Sequence, residues 1–141
     1  GNEAFAGSVE VIYDTSVPTV TISPSEKVYT NKEKIEVSAT ASDPSGIERV
    51  DILGWYKGNA EPNGDSKWKT VTATYDAATG KYKAELTLSE LPDMISGNTN
   101  NGEGEYRIKA YAYNNAGKSN FAGSVEVIYD TTPPTASEIE V

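Results

Sequence analysis

The chain contains no cysteine and no histidine among its 141 residues. The absence of cysteine excludes disulfides, thiolate nucleophiles and zinc–thiolate sites, although it leaves the compartment open. The absence of histidine removes the commonest general base and the commonest metal ligand. Basic residues are scarce: 12 Lys and Arg stand against 21 Asp and Glu, giving a net charge of −9 and a pI near 4.5. So acidic a surface repels phosphate backbones, and nucleic acid is not an expected partner. No apolar run approaches the ~18 residues that a membrane helix needs, so direct membrane insertion is not expected, and no signal peptide is visible. No nucleophile elbow is present, and Gly97 to Gly104 lacks the following helix that a phosphate loop requires.

The remaining composition is that of a packed protein. Hydrophobic residues make up 37%, with nine Tyr, two Trp and two Phe. The chain also repeats itself. Phe121 to Thr131 matches Phe5 to Thr15 without a substitution, at an offset of 121 − 5 = 116 residues. The register continues from Thr15-Ser-Val-Pro-Thr19 over Thr131-Thr-Pro-Pro-Thr135, and Gly1 lies over Gly117. A period of that length is one domain, so a tandem array is expected. Its parts are the last strand of a preceding repeat (1–14), one complete module (15–131), and a connector with the start of the next repeat (132–141). The proline-containing connectors Asp14–Pro18 and Asp130–Pro134 should be short and stiff. The lone strand at 1–13 also suggests a second behaviour, exchange into a neighbouring molecule.

Within the module, period-2 alternation marks half-buried strands. Ile35, Val37, Ala39 and Ala41 share one face; so do Tyr82, Ala84, Leu86 and Leu88, and Tyr106, Ile108, Ala110 and Ala112. Thr19–Ser23, Ile47–Tyr56, Trp68–Tyr75 and the segment carrying Val125, Val127 and Tyr129 complete about seven strands. Pro24–Lys32 reads as a polar turn region. Leu53-Gly-Trp-Tyr56 breaks its alternation, which leaves the direction of those side chains open. In 89–104, Leu91, Met94 and Ile95 suit a short helical turn, and 96–104 has the composition of a flexible loop. Short alternating strands without a convincing helix describe an antiparallel β-sandwich.

Several stretches resemble the bacterial immunoglobulin-like (Big-type) repeats of cell-surface and adhesin-like proteins. They are the junction Asp130-Thr-Thr-Pro-Pro-Thr135, the loop Ser42-Asp-Pro-Ser-Gly-Ile47 followed by Val50, the strand Gly104-Glu-Tyr-Arg-Ile-Lys-Ala-Tyr-Ala-Tyr-Asn114, and Ala116-Gly-Lys118. The resemblance covers about 15–131 and implies that the antiparallel β-sandwich is immunoglobulin-like. It implies an extracellular or cell-surface module, secreted or wall-bound, that serves as a spacer, a stalk or a binding tip. It also implies calcium at module junctions in some members.

Two candidate sites follow. In an immunoglobulin-like topology Asp14, Asp43, Asn114 and Asn115 would converge at one pole and offer oxygens to a calcium ion, with Asp130 repeating the role of Asp14 for the next module. Asn114 stands where the family commonly has Asp, which removes a charge, and Asp14 and Asp43 equally suit turn capping. The second candidate is Trp55, Tyr56 and Trp68, near one hairpin, which could stack on a glycan or meet a host protein if they point outward; the opposing reading buries a third-strand aromatic in the core. The long loops 57–66 and 89–104 should lie at the pole away from Asp43 and Asn114. With carboxylates scattered over outward strand positions, no catalytic residue is assigned and no cofactor is required. The expected role is a non-catalytic extracellular spacer whose main partners are neighbouring repeats. The alternative is a carbohydrate- or host-ligand-binding module, including one accessory to a secreted polysaccharide-degrading enzyme.

Overall fold

A computed structural model describes Ala4, residues 6–11, Tyr13, residues 15–59, Glu61 and residues 66–133. Among the described residues there are nine strands: β1 (Thr19–Ser23), β2 (Val28–Thr30), β3 (Lys34–Ser42), β4 (Ile47–Tyr56), β5 (Lys69–Thr72), β6 (Thr74–Asp76), β7 (Lys81–Thr87), β8 (Gly104–Asn114) and β9 (Ser119–Tyr129). One sheet has the order β1-β3-β7-β6 and the other β2-β9-β8-β4-β5. The expected antiparallel sandwich is therefore present, with one parallel pair, β2 on β9. Residues 6–11 and Tyr13 take part in no strand.

The core forms where the alternating faces of the two sheets meet. Val37, Ala39, Ala84 and Leu86 come from one sheet; Val50, Ile52, Tyr106, Ile108, Ala110, Ala112, Val125 and Val127 come from the other. β8 is the plainest case: from Tyr106 every second residue is buried as far as Asn114, while the residues between are half-buried on the outer face.

Three local readings change. Pro24–Lys32 is not all turn, because Val28–Thr30 pairs with Val127–Tyr129. Trp68–Tyr75 is not one strand: Lys69–Thr72 pairs with β4, Thr74–Asp76 pairs with β7, and the chain changes sheets at Ala73. The loop 96–104 is held by specific hydrogen bonds. Asp93 accepts from the amides of Ile95 and Ser96, each at 2.9 Å, Asn101 Nδ2 donates to Asn98 O at 2.8 Å, and the Asn100 amide donates to Ser89 O at 2.8 Å. The short helical turn falls at Leu88–Glu90, just before Leu91 and Met94, both of which are buried.

Candidate functional site

The ambiguity at 53–56 is resolved by a glycine. Val50, Ile52, Gly54 and Tyr56 face the core side of β4, while Leu53 and Trp55 lie on the outer face. Gly54 occupies an inward position because Leu91 fills its space: a Cβ there would lie 2.9 Å from Leu91 Cδ1. Tyr56 follows in phase and packs on Tyr106 with ring centroids 5.0 Å apart. The expected trio therefore separates. Tyr56 turns inward and is half-buried against the core, and Trp55 and Trp68 remain together outside.

Leu53, Trp55, Ser66, Trp68, Met94, Lys109 and Tyr111 line a groove of about 210 Å³ on the outer face of the five-stranded sheet. Trp68 is 52% exposed. Lys109 joins the groove to its neighbours, its ammonium lying 5.8 Å from the Trp55 ring centroid and 4.8 Å from that of Phe121. Tyr111 stacks on Phe121 at 5.3 Å, its cross-strand partner, and Arg49 lies 3.9 Å from the Tyr113 ring. These are cation–π and offset-stacking geometries. The sequence pointed to the two tryptophans. Lys109, Tyr111 and Phe121 came into the group only through the pairing of β4 with β8 and β8 with β9, a long-range register that local pattern does not encode.

Asn114 ends β8, and its buried side chain ties three segments: Oδ1 accepts from the amides of Ala116 and Lys118 at 3.0 and 2.8 Å, and Nδ2 donates to Ser16 O at 3.1 Å. Asn115 Nδ2 donates to Ser45 O at 2.9 Å, and Asn120 Nδ2 to Pro18 O at 3.1 Å. Asp43 accepts through Oδ2 from the Ser45 amide and hydroxyl. Asp43, Asn114 and Asn115 thus do gather at one pole with the incoming connector, while Asp14 lies outside the described residues. The Asn114 oxygen is committed to two N–H groups, so it is a turn acceptor and has no lone pair directed at an ion. Among the described residues no three acidic side chains cluster closely enough to hold a metal.

The outgoing connector leaves from the other end of β8. The Thr131 amide donates to Glu103 Oε1 at 2.7 Å, the Thr131 hydroxyl bonds the same oxygen, and the Thr132 hydroxyl reaches it at 3.3 Å. These bonds, the Thr131 hydroxyl first, hold the Glu103 carboxyl below the usual carboxylate range. Asp130 donates its amide to Thr30 O at 2.9 Å and accepts from the Thr132 amide at 2.9 Å. Loop 89–104 therefore reaches the outgoing pole.

Comparison with solved structures now decides the fold type. The chain is similar to the fibronectin(III)-like modules of Clostridium thermocellum CbhA, with a TM-score of 0.50 and 22% identity over 88% of this chain. The fold is of the immunoglobulin-like, fibronectin(III) type. The chain spans about half, 53%, of the length of that solved structure. No family model matches the sequence, and no curated protein matches it. Among the described residues no helix is long and apolar enough to cross a membrane.

Proposed function

We propose that this fibronectin(III)-type module is a non-catalytic extracellular repeat, of the bacterial immunoglobulin-like kind, that acts as a spacer in a multi-module bacterial surface or adhesion protein. The observation that carries this reading is the placement of the two connectors. The incoming one is held at Asn114, the last residue of β8, and the outgoing one at Glu103, the residue before its first. The chain therefore enters and leaves at opposite ends of one 11-residue strand, a separation of roughly 35 Å at ~3.3 Å per residue. Repeats joined in this way extend end to end. The recurrence of Phe5–Thr15 at Phe121–Thr131, 116 residues on, supports the presence of such copies. The test is antibody labelling of intact cells that make the full protein, combined with removal of whole repeats from the array. Labelling without permeabilisation, with binding by the rest of the protein kept and only its reach shortened, supports the spacer. Labelling confined to permeabilised cells, or loss of all binding on removal of one repeat, refutes it.

A second reading is favoured by the groove at Trp55 and Trp68, whose aromatic faces and neighbouring Lys109 suit a glycan or a host-protein side chain. Binding to a panel of soluble polysaccharides and glycans, lost in a Trp55→Ala, Trp68→Ala variant, would assign the module a ligand of its own. Absence of binding leaves the spacer.

A further inference from the structure

The internal repeat allows both halves of a module junction to be read from one molecule. Thr131 and Thr132 correspond to Thr15 and Ser16, and Pro134 corresponds by sequence to Pro18. Upstream contacts are visible on 130–132, and downstream contacts on 16 and 18. The two sets use different atoms. The upstream module takes donors: the Asp130 amide goes to Thr30 O, and the Thr131 amide and hydroxyl go to Glu103, while the Thr132 amide goes back to Asp130. The downstream module takes carbonyls: Asn114 holds that of Ser16, and Asn120 holds that of Pro18. The remaining connector positions, 133 and 134, are prolines and have no N–H to satisfy. Pro18 is fully buried, as a residue without a donor can be.

We infer that where this module is followed by a second copy of itself the connector is clasped by two modules at once, the upstream copy through Glu103 and the downstream copy through Asn114 and Asn120, so that the joint is a fixed splice and not a hinge. Every amide donor from 130 to 134 is then either bonded or absent, and the hydrogen-bonding demands of one module leave those of the next untouched. A loose linker would need neither the hydroxyls shared by positions 15 and 131 and by 16 and 132, nor an asparagine pair reaching back to it across about a hundred residues of sequence.

This inference deepens the spacer reading and rests on it only for the existence of consecutive copies. It is tested on a tandem chain in which residues 15–134 run directly into a second copy beginning at Thr19 and ending at Thr131, which keeps the natural connector. The core residues all fall between Val20 and Tyr129, so each copy carries a complete sandwich. NMR residual dipolar couplings report whether two folded bodies share one alignment tensor. The variant carries Glu103→Ala in the first copy and Asn120→Ala in the second. Glu103 is exposed, and Ala4 stands at the position of Asn120 in the preceding repeat, so both modules keep their fold, which their amide spectra verify. The expected result is one tensor for the parent tandem and two for the variant. Two independent tensors in the parent, or one tensor that survives both substitutions, overturns the splice. Neither result bears on whether the protein is displayed on cells, so failure here is distinct from failure of the spacer reading.

Discussion

Replacing Asn114 with alanine removes the side chain that ties the β8–β9 turn to the incoming connector. Its side chain is fully buried and makes three hydrogen bonds at 2.8–3.1 Å, two of them closing the turn between β8 and β9 and one binding the incoming connector. At about 1 kcal/mol net for each bond the loss is ~3 kcal/mol, and more if the freed Ala116 and Lys118 amides stay dry. For a domain of this size that corresponds to a fall in melting temperature on the order of 10 °C. Urea unfolding followed by tryptophan fluorescence would show a lowered midpoint at unchanged slope. Asn114→Asp separates the contributions. It keeps the acceptor for both amides but sets an oxygen against the Ser16 carbonyl. It should lose about half as much at neutral pH, and less in acid, where a protonated carboxyl can donate to Ser16. An alanine variant within about 0.5 kcal/mol of the parent would refute the assignment of Asn114 as the tie at this pole.

Gly54→Ala should cost about 1–3 kcal/mol, because the new methyl group enters the space of Leu91 and Leu86; calorimetry checks this, and an unchanged melting temperature would mean that Leu91 yields freely. Burial pushes the Tyr106 hydroxyl up to about 12. The unfolded chain ionises from about pH 10, so stability falls between about pH 10 and 12 by an amount on the order of 2–3 kcal/mol. Tyr106→Phe should flatten that limb, and a parent whose unfolding free energy is level across this window contradicts the burial argument. EDTA should leave the melting temperature unchanged, since the Asn114 oxygen already accepts two amides; a fall that calcium restores would show that Asp43 and Asn115 find another ligand set.

How far the fold was legible depended on whether strand period and face agreed. β3, β7 and β8 alternate cleanly and were read from sequence because each places a side chain at every inward position. β4 is obscured at one residue: Gly54 is inward but contributes no side chain, so Trp55 and Tyr56 lose their phase in the sequence, and Leu91 fills the space. The sheet change at Ala73 was invisible for the opposite reason. A strand that crosses between the sheets of a sandwich keeps its inward alternation, and nothing in Thr70-Val-Thr-Ala-Thr74 marks the crossing. β2 is three residues long and owes its existence to β9, a partner about a hundred residues away. The loop 96–104 reads as flexible by composition, yet Asn101 and the preceding Asp93 bond the local backbone. Of the candidate sites, the gathering of Asp43, Asn114 and Asn115 at one pole was legible from topology. The commitment of Asn114 to backbone amides and the inward turn of Tyr56 were not.

The parallel pairing of Val28–Thr30 with Val127–Tyr129 has a consequence for a module loaded in tension. Both strands run toward the outgoing pole. A pull on the two connectors drags β2 back toward the entry and β9 forward toward the exit, along the line of the strands. The bonds between them then lie across the direction of loading and must yield together in shear, instead of opening one after another from an end. Together with β1, which pairs with β3 in the other sheet, these three residue pairs carry the load between the point where force enters the sandwich and the point where it leaves.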